Sequence, residues 1–199
     1  MNKRQATPTS CGACVLLCAA LELGKDKMPR LDGMSMREYS GTHTEIQLDN
    51  SDKSELLLYE ITSSASPGSP VQSSSIQAGY SLPHNLIVAA RLLELTVTVY
   101  LKPGMVYSLL SCYHSDIVNK LAGSGVEIER AAPPLLLGNQ RALEVLGVVQ
   151  GGVFFHYVMR RPNGTYMDPG SGINYPNFDQ MNASWKNYIA SGFIIVLQG

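Results

Sequence analysis

Val153-Phe-Phe-His-Tyr-Val-Met-Arg-Arg-Pro-Asn-Gly-Thr-Tyr-Met-Asp-Pro-Gly170 is the stretch that decides the fold. Its first half, Val153 to Arg160, is an apolar run rich in aromatic and β-branched residues, the composition of a core strand. Pro162-Asn163-Gly164 is a strong hairpin signal, and a loop of three residues with Gly in the left-handed position is one of its common forms. With that loop, Arg161 faces Thr165 and His156 faces Gly170. His156 and Asp168 then share one sheet face as diagonal neighbours, within reach of an imidazole–carboxylate hydrogen bond. A two-residue loop would turn Asp168 to the other face, so the pairing depends on loop length. Asp168-Pro169-Gly170 ends the second strand and holds the carboxylate still.

Further strands are expected at Val145–Val149 and Phe193–Leu197, and the β-branched run Thr96–Leu101 is another. The first half of the chain reads differently. Ser10 to Gly24 is the clearest helix: Thr9 or Ser10 can cap it, and Gly24 stands where a helix C′ glycine belongs. Its body, Val15-Leu-Leu with Ala19-Ala-Leu21, is apolar nearly all round, which marks a buried central helix. Residues 25–55 carry most of the polar content of that half and read as mixed short helix and loop. Thr62 to Ser75, with seven serines between 63 and 75 plus Pro67, Gly68 and Pro70, is a loop and a candidate boundary between lobes. Ser81-Leu-Pro83 opens a second helix, and Tyr107–Ala122, ended by Gly123, is a third. The layout is α+β, a helical lobe followed by an antiparallel sheet lobe, within one domain spanning residues 1–199.

Composition narrows the function. A chain of 199 residues with 45% hydrophobic and 16% charged residues can bury a sizeable core, so global disorder is excluded. Fifteen basic against sixteen acidic residues, with no basic stripe beyond Lys3-Arg4, argues against nucleic acid. No apolar run reaches the roughly 18 residues of a membrane span. Pro8, Thr9 and Ser10 interrupt the start too early for a signal peptide. Without export to an oxidising compartment, the four cysteines are not a disulfide framework. Asn163-Gly-Thr165 and Asn182-Ala-Ser184 match glycosylation acceptors, but the first is better read as a turn.

Cys11, Cys14 and Cys18 crowd into one helix. Cys14 and Cys18 lie inside its body and read as small buried hydrophobes. Three thiols on a continuous helix are poorly spaced for tetrahedral zinc, and no second pair completes a set, so no metal is expected. Cys11 is different. It stands in the first turn, where unpaired backbone N–H groups and the helix dipole favour an anion. Gly12 after it would let a substrate carbonyl approach the backbone. A thiolate nucleophile needs a base and an orienting group. His43 and His114 lie in polar surroundings and His84 in the first turn of a helix. His156, with Asp168 beside it, is the best base. Gln5, six residues before Cys11 in a stretch that Pro8 keeps extended, could join the Cys11 N–H in an oxyanion hole. Asn174 is the substitute orienter should Asp168 not reach the imidazole.

Gln5-x5-Cys11-Gly12, the distant His156 and Asp168-Pro-Gly resemble papain-like cysteine peptidases of the bacteriocin-leader-processing, C39-like type. A closer resemblance runs through residues 3–197: Ser10-Cys-Gly with Leu16–Gly24, Ala78-Gly-Tyr-Ser-Leu-Pro83, Ala90-Arg-Leu-Leu93, Asn139-Gln-Arg141, and Arg161–Pro169 with Asn174-Tyr175. These blocks are similar to the invasion plasmid antigen J family of bacterial type III effectors. The resemblance implies a papain-like fold and a triad of Cys11 as nucleophile, His156 as general base and acid and Asp168 as orienter, with Gln5 as oxyanion donor. It further implies cleavage after an N-myristoylated glycine of host small GTPases of the ADP-ribosylation-factor type, disturbing Golgi traffic, by a secreted effector acting in the host cell cytosol and at the Golgi. Only ten residues precede Cys11, fewer than the export leader such an effector carries, so a trimmed leader or a different route of delivery is expected. No metal or organic cofactor is called for. Two other readings use the same residues: a deamidase of host GTPases, with ammonia as leaving group, and an idle module that binds the lipidated GTPase without cutting it.

Overall fold

The computed structural model describes residues 1–29, 45–63, 80–102, 104, 108, 115–149, 153–185 and 188–199. His43, His114, Cys112, most of the serine-rich loop and the beginning of the expected Tyr107–Ala122 helix lie outside the described residues.

The buried helix forms as its sequence demands. α1 (Cys11–Glu22) buries ten consecutive residues, Cys11 to Ala20. It ends in a Schellman motif: the N–H of Lys25 reaches the Ala20 carbonyl and that of Gly24 the Leu21 carbonyl. At its start the expected cap is absent. Ser10 occupies the N-cap position, yet its hydroxyl makes no capping bond. α2 (Asp52–Thr62) and α3 (Pro83–Leu92) pack around α1, with Leu58, Tyr59, Leu86, Ile87 and Ala90 filling the same core. α2 is longer than the short helices read in residues 25–55. It is capped by Ser51, whose side chain accepts from the Ser54 N–H.

β1 (Lys27–Pro29) and β2 (Glu45–Gln47) form a two-stranded antiparallel ribbon. The remaining strands, β3 (Thr96–Leu101), β4 (Glu127–Glu129), β5 (Gln140–Val149), β6 (Val153–Arg160), β7 (Tyr166–Asp168), β8 (Ile173–Tyr175) and β9 (Tyr188–Gln198), form a seven-stranded sheet. Their order is β4-β3-β9-β5-β6-β7-β8, antiparallel except where β3 meets β4. β3 thus crosses from the helical half of the sequence into the sheet. β5 and β9 extend beyond the expected Val145–Val149 and Phe193–Leu197, because polar residues such as Gln140, Arg141 and Gln198 continue their ladders at the ends. α4 (Ser115–Ala122) packs on α3, and α5 (Phe178–Trp185) lies over β7 and β8. One sheet face, with Leu143, Val145, Tyr157, Met159 and Met167, packs on α1–α3. The other carries a second cluster of Leu146, Val158, Tyr166, Tyr175, Met181 and Tyr188.

The hairpin has the register expected. Met159 pairs with Met167 and Arg160 with Tyr166, and the Arg161 N–H donates to the Thr165 carbonyl at 2.9 Å. Gly164 takes φ 81°, the left-handed value the three-residue loop requires.

α1 and β6 are tied together at one end. The Glu22 carboxylate accepts from Arg141 Nε at 2.6 Å, from Arg161 Nη2 at 2.7 Å and from the N-terminal ammonium at 2.9 Å. Its side chain is 11% exposed. Burial opposes its ionisation, but the Arg161, Arg141 and N-terminal hydrogen bonds prevail and hold it down at about 2. A carboxylate depressed below its ordinary 4.5 contributes stability that is complete above that value and is lost as pH falls toward 2. Glu22→Gln should therefore lower the melting temperature near pH 7 by about 5 °C, roughly 2 kcal/mol. The gap from wild type should close between pH 4.5 and 2 in a thermal-melt series.

Candidate active site

Asp168 comes to His156 because the hairpin loop has the right parity. His156 Nε2 lies 2.7 Å from Asp168 Oδ1, and the Asp168 side chain is fully buried. The carboxylate is satisfied on every side. Oδ1 accepts the Gly170 N–H at 2.8 Å, and Oδ2 accepts from Ser171 Oγ at 3.2 Å and Tyr188 Oη at 3.4 Å. Burial pushes its pKa up, and the bond and charge of His156, then the Gly170 and Ser171 donors, bring it below the ordinary value. Burial likewise disfavours imidazolium at His156. The hydrogen bond to Asp168, with Cys11 next, outweighs it and raises the imidazole to about 9. At neutral pH the ring is therefore charged. Tyr188 stacks on it, with ring centroids 5.6 Å apart and planes inclined by 12°. Asn174, the alternative orienter, is elsewhere: its Oδ1 accepts from Arg161 Nη1 at 3.2 Å.

Cys11 meets the same imidazole, as its bond and charge are among the causes that raise the ring's pKa. With Nε2 engaged by Asp168, Nδ1 is the nitrogen left for the thiol. Burial, and then the proximity of Cys11, raises the hydroxyl pKa values of Tyr80 and Tyr157, and Cys11 adds to burial at Tyr59; at Tyr188 burial is followed by Asp168, with Cys11 last among the causes. Cys14 and Cys18 are fully buried within the helix body, and their mutual hydrogen bond, then burial, keeps Cys14 a thiol. Gly12 serves a purpose other than the one expected. A Cβ there would stand 2.4 Å from Ser81 Cβ and 3.3 Å from Tyr157 Cδ2, so its smallness lets α1 pack against the start of α3 and against β6, and is taken up by protein rather than by substrate.

Gln5 reaches this end of the molecule through its backbone. Its N–H donates to the Pro169 carbonyl at 2.9 Å, and Asn2 Nδ2 donates to the Gly172 carbonyl at 3.2 Å, so the N-terminal segment lies on the Asp168–Gly172 turn. The Gln5 side chain donates through Nε2 to the Thr7 carbonyl at 2.7 Å, while Oε1 is buried with no partner among the described residues.

Two participants, Tyr188 and Ser171, escaped sequence reading. Tyr188 lies twenty positions beyond Asp168, outside any local pattern, and reaches the site because β9 pairs with β5, placing Tyr188 opposite Val148. Ser171 and the Gly170 N–H belong to the turn itself, and Asp168-Pro-Gly-Ser171 held a signal for them: a strand-ending Asp bonds backbone two residues on.

A helix-borne thiol facing an imidazole anchored by a buried carboxylate is the constellation of thiol-dependent hydrolases. The chain is a cysteine protease and belongs to the family described as invasion plasmid antigen J, cysteine protease, whose model matches residues 3–199. It is similar to "Cysteine protease IpaJ" of Shigella flexneri, with 36% identity over 206 residues covering 99% of this chain and 78% of that protein. No solved structure matches the chain.

Asp168→Asn should reduce turnover by at least about 100-fold while thermal melting shifts little, since the amide keeps the shape but favours the wrong imidazole tautomer. Inserting one residue into Pro162-Asn163-Gly164 should be nearly as damaging, because it rotates Asp168 to the opposite face. Activity assays paired with melting curves check both.

Proposed function

We propose that the chain is a papain-like, C39-like cysteine protease that cuts the peptide bond after an N-terminal myristoylated glycine of host small GTPases of the ADP-ribosylation-factor type. In this reading it is a secreted effector that acts in the host cell cytosol, at Golgi membranes, and needs no cofactor. The observation that most supports a protease mechanism is the 2.7 Å His156–Asp168 contact, which holds a charged imidazole beside Cys11. The substrate class rests on membership of the family and on the likeness to the Shigella protein.

The steps follow from the roles proposed for each residue. The Cys11 thiolate attacks the glycine carbonyl, and the oxyanion is held by the Cys11 N–H and by Gln5, whose Nε2 carries a second hydrogen beyond the one given to Thr7. His156 hands its proton to the leaving amine, and the peptide C-terminal to the glycine departs. Water, deprotonated by His156, then attacks the thioester, releasing the acylated glycine and restoring the Cys11 thiolate beside protonated His156. Asp168 fixes the ring and keeps its charge throughout.

A myristoyl chain offers about 0.8 kcal/mol per buried methylene, more in total than the hydrogen bonds of one glycine. Acylated GTPase should therefore be cut much faster than the bare protein. Mass spectrometry of the treated GTPase reads the outcome: loss of myristoyl-glycine supports the proposal, while a gain of about one dalton means deamidation and an unchanged mass means binding alone. Gln5→Ala should lower kcat on the order of 100-fold with little change in KM; retained turnover means the oxyanion is held without it.

A further inference from the structure

Ser10 immediately precedes Cys11 and occupies the N-cap of α1, the position where a serine hydroxyl ordinarily accepts a backbone N–H of the first turn. Here it does not: its backbone stands at φ −90° and ψ 15°, away from the extended conformation of a capping serine, and its hydroxyl is engaged by α2. Ser10 Oγ donates to Glu55 Oε1 at 2.6 Å, with the Thr7 carbonyl at 3.1 Å as a second acceptor, and it accepts the Thr7 N–H at 3.0 Å. The same Glu55 oxygen accepts the Ala6 N–H at 2.8 Å. Glu55 is fully buried, and Lys3 Nζ, itself on a side chain only 6% exposed, stands 3.3 Å from its other oxygen and also pairs with Asp52. Burial works against the Lys3 charge, but Asp52 and Glu55 overcome it and raise its pKa.

One carboxylate oxygen thus grips the 5–11 segment at both ends, at the backbone just after Gln5 and at the side chain just before Cys11. From this we infer that Glu55 is a positioning residue for the oxyanion site: by holding the Ala6 N–H and the Ser10 hydroxyl on one oxygen it fixes the start of α1 and the spacing between Gln5 and Cys11. A charged acceptor is suited to this task because its hydrogen bonds are roughly twice as strong as neutral ones. The inference rests on the reading of Cys11 as nucleophile and of Gln5 with the α1 start as oxyanion site.

The test combines Glu55→Gln, Ser10→Ala and the double variant, with circular dichroism and melting to confirm folding. Glu55→Gln keeps an acceptor for Ala6 but weakens the hold on Ser10. It should lower kcat on acylated GTPase about tenfold with KM within about twofold, the signature of an interaction made in the transition state. Adding Ser10→Ala removes a group that acts through Glu55, so the double variant should be about as slow as Glu55→Gln, whereas independent structural defects would multiply. Ser10→Ala alone should cost less than Glu55→Gln. A double variant slowed by the product of the two single effects, or a Glu55→Gln enzyme with normal kcat, overturns the inference. Iodoacetamide alkylation of Cys11, followed by peptide mass, provides a readout that needs no protein substrate. Slower alkylation in Glu55→Gln, and no slower in the double variant, upholds the role of Glu55 even if no acylated GTPase is cut, which would defeat the substrate reading alone. Equal alkylation rates in all variants count against the inference.

Discussion

The site depends on a match of lengths between one helix and one strand. α1 and β6 lie side by side and run the same way, joined at their C-terminal ends where Glu22 meets Arg161. From Glu22 back to Cys11 the helix rises roughly 16 Å, at 1.5 Å per residue. From Arg161 back to His156 the strand covers roughly the same, at 3.3 Å per residue. Pinning one end therefore brings thiol and imidazole together at the other. The tie is polar and partly exposed, so it fixes register, while the ten buried residues of α1 supply most of the driving force.

Around that junction each reacting group is held by neighbours drawn from several elements. Asp168 is oriented by its own turn and by Tyr188 from β9. His156 is gripped through Nε2 and covered by the Tyr188 ring. Because the carboxylate is buried yet fully hydrogen-bonded, it remains charged in a setting that would otherwise neutralise it, and so it can keep the imidazole charged in turn. The N-terminal segment closes the arrangement, lying on the Asp168–Gly172 turn through Gln5 and Asn2 and on α2 through Ala6. A segment with few apolar side chains is thereby placed largely by hydrogen bonds, which are directional.

Local pattern was legible wherever a single element or a tight turn carried the information. The all-round apolar body of α1, the β-branched run of β3 and the Pro-Asn-Gly loop each state their own geometry, because their determinants lie within a few residues. From the loop parity alone His156 and Asp168 could be set on one face, and the register bears this out. Short elements were not legible. β4, β7 and β8 each span three residues and exist because a neighbouring strand offers a ladder, not because of their own composition.

The sequence by itself determined which residues could do chemistry: a thiol at a helix start, a histidine in a core strand and a carboxylate in the turn beyond it. It also set the parity that pairs the last two, since strand side chains alternate with a period of two whatever surrounds them. Tertiary structure alone decided what those residues touch. That Gly12 yields its space to Ser81 and Tyr157, that the Ser10 hydroxyl goes to Glu55, and that Tyr188 covers the imidazole all follow from elements far apart in the chain meeting in one core. Such contacts have no local signal, because the energy that selects them is that of burying and satisfying polar groups together, and this is defined only once the layers have packed.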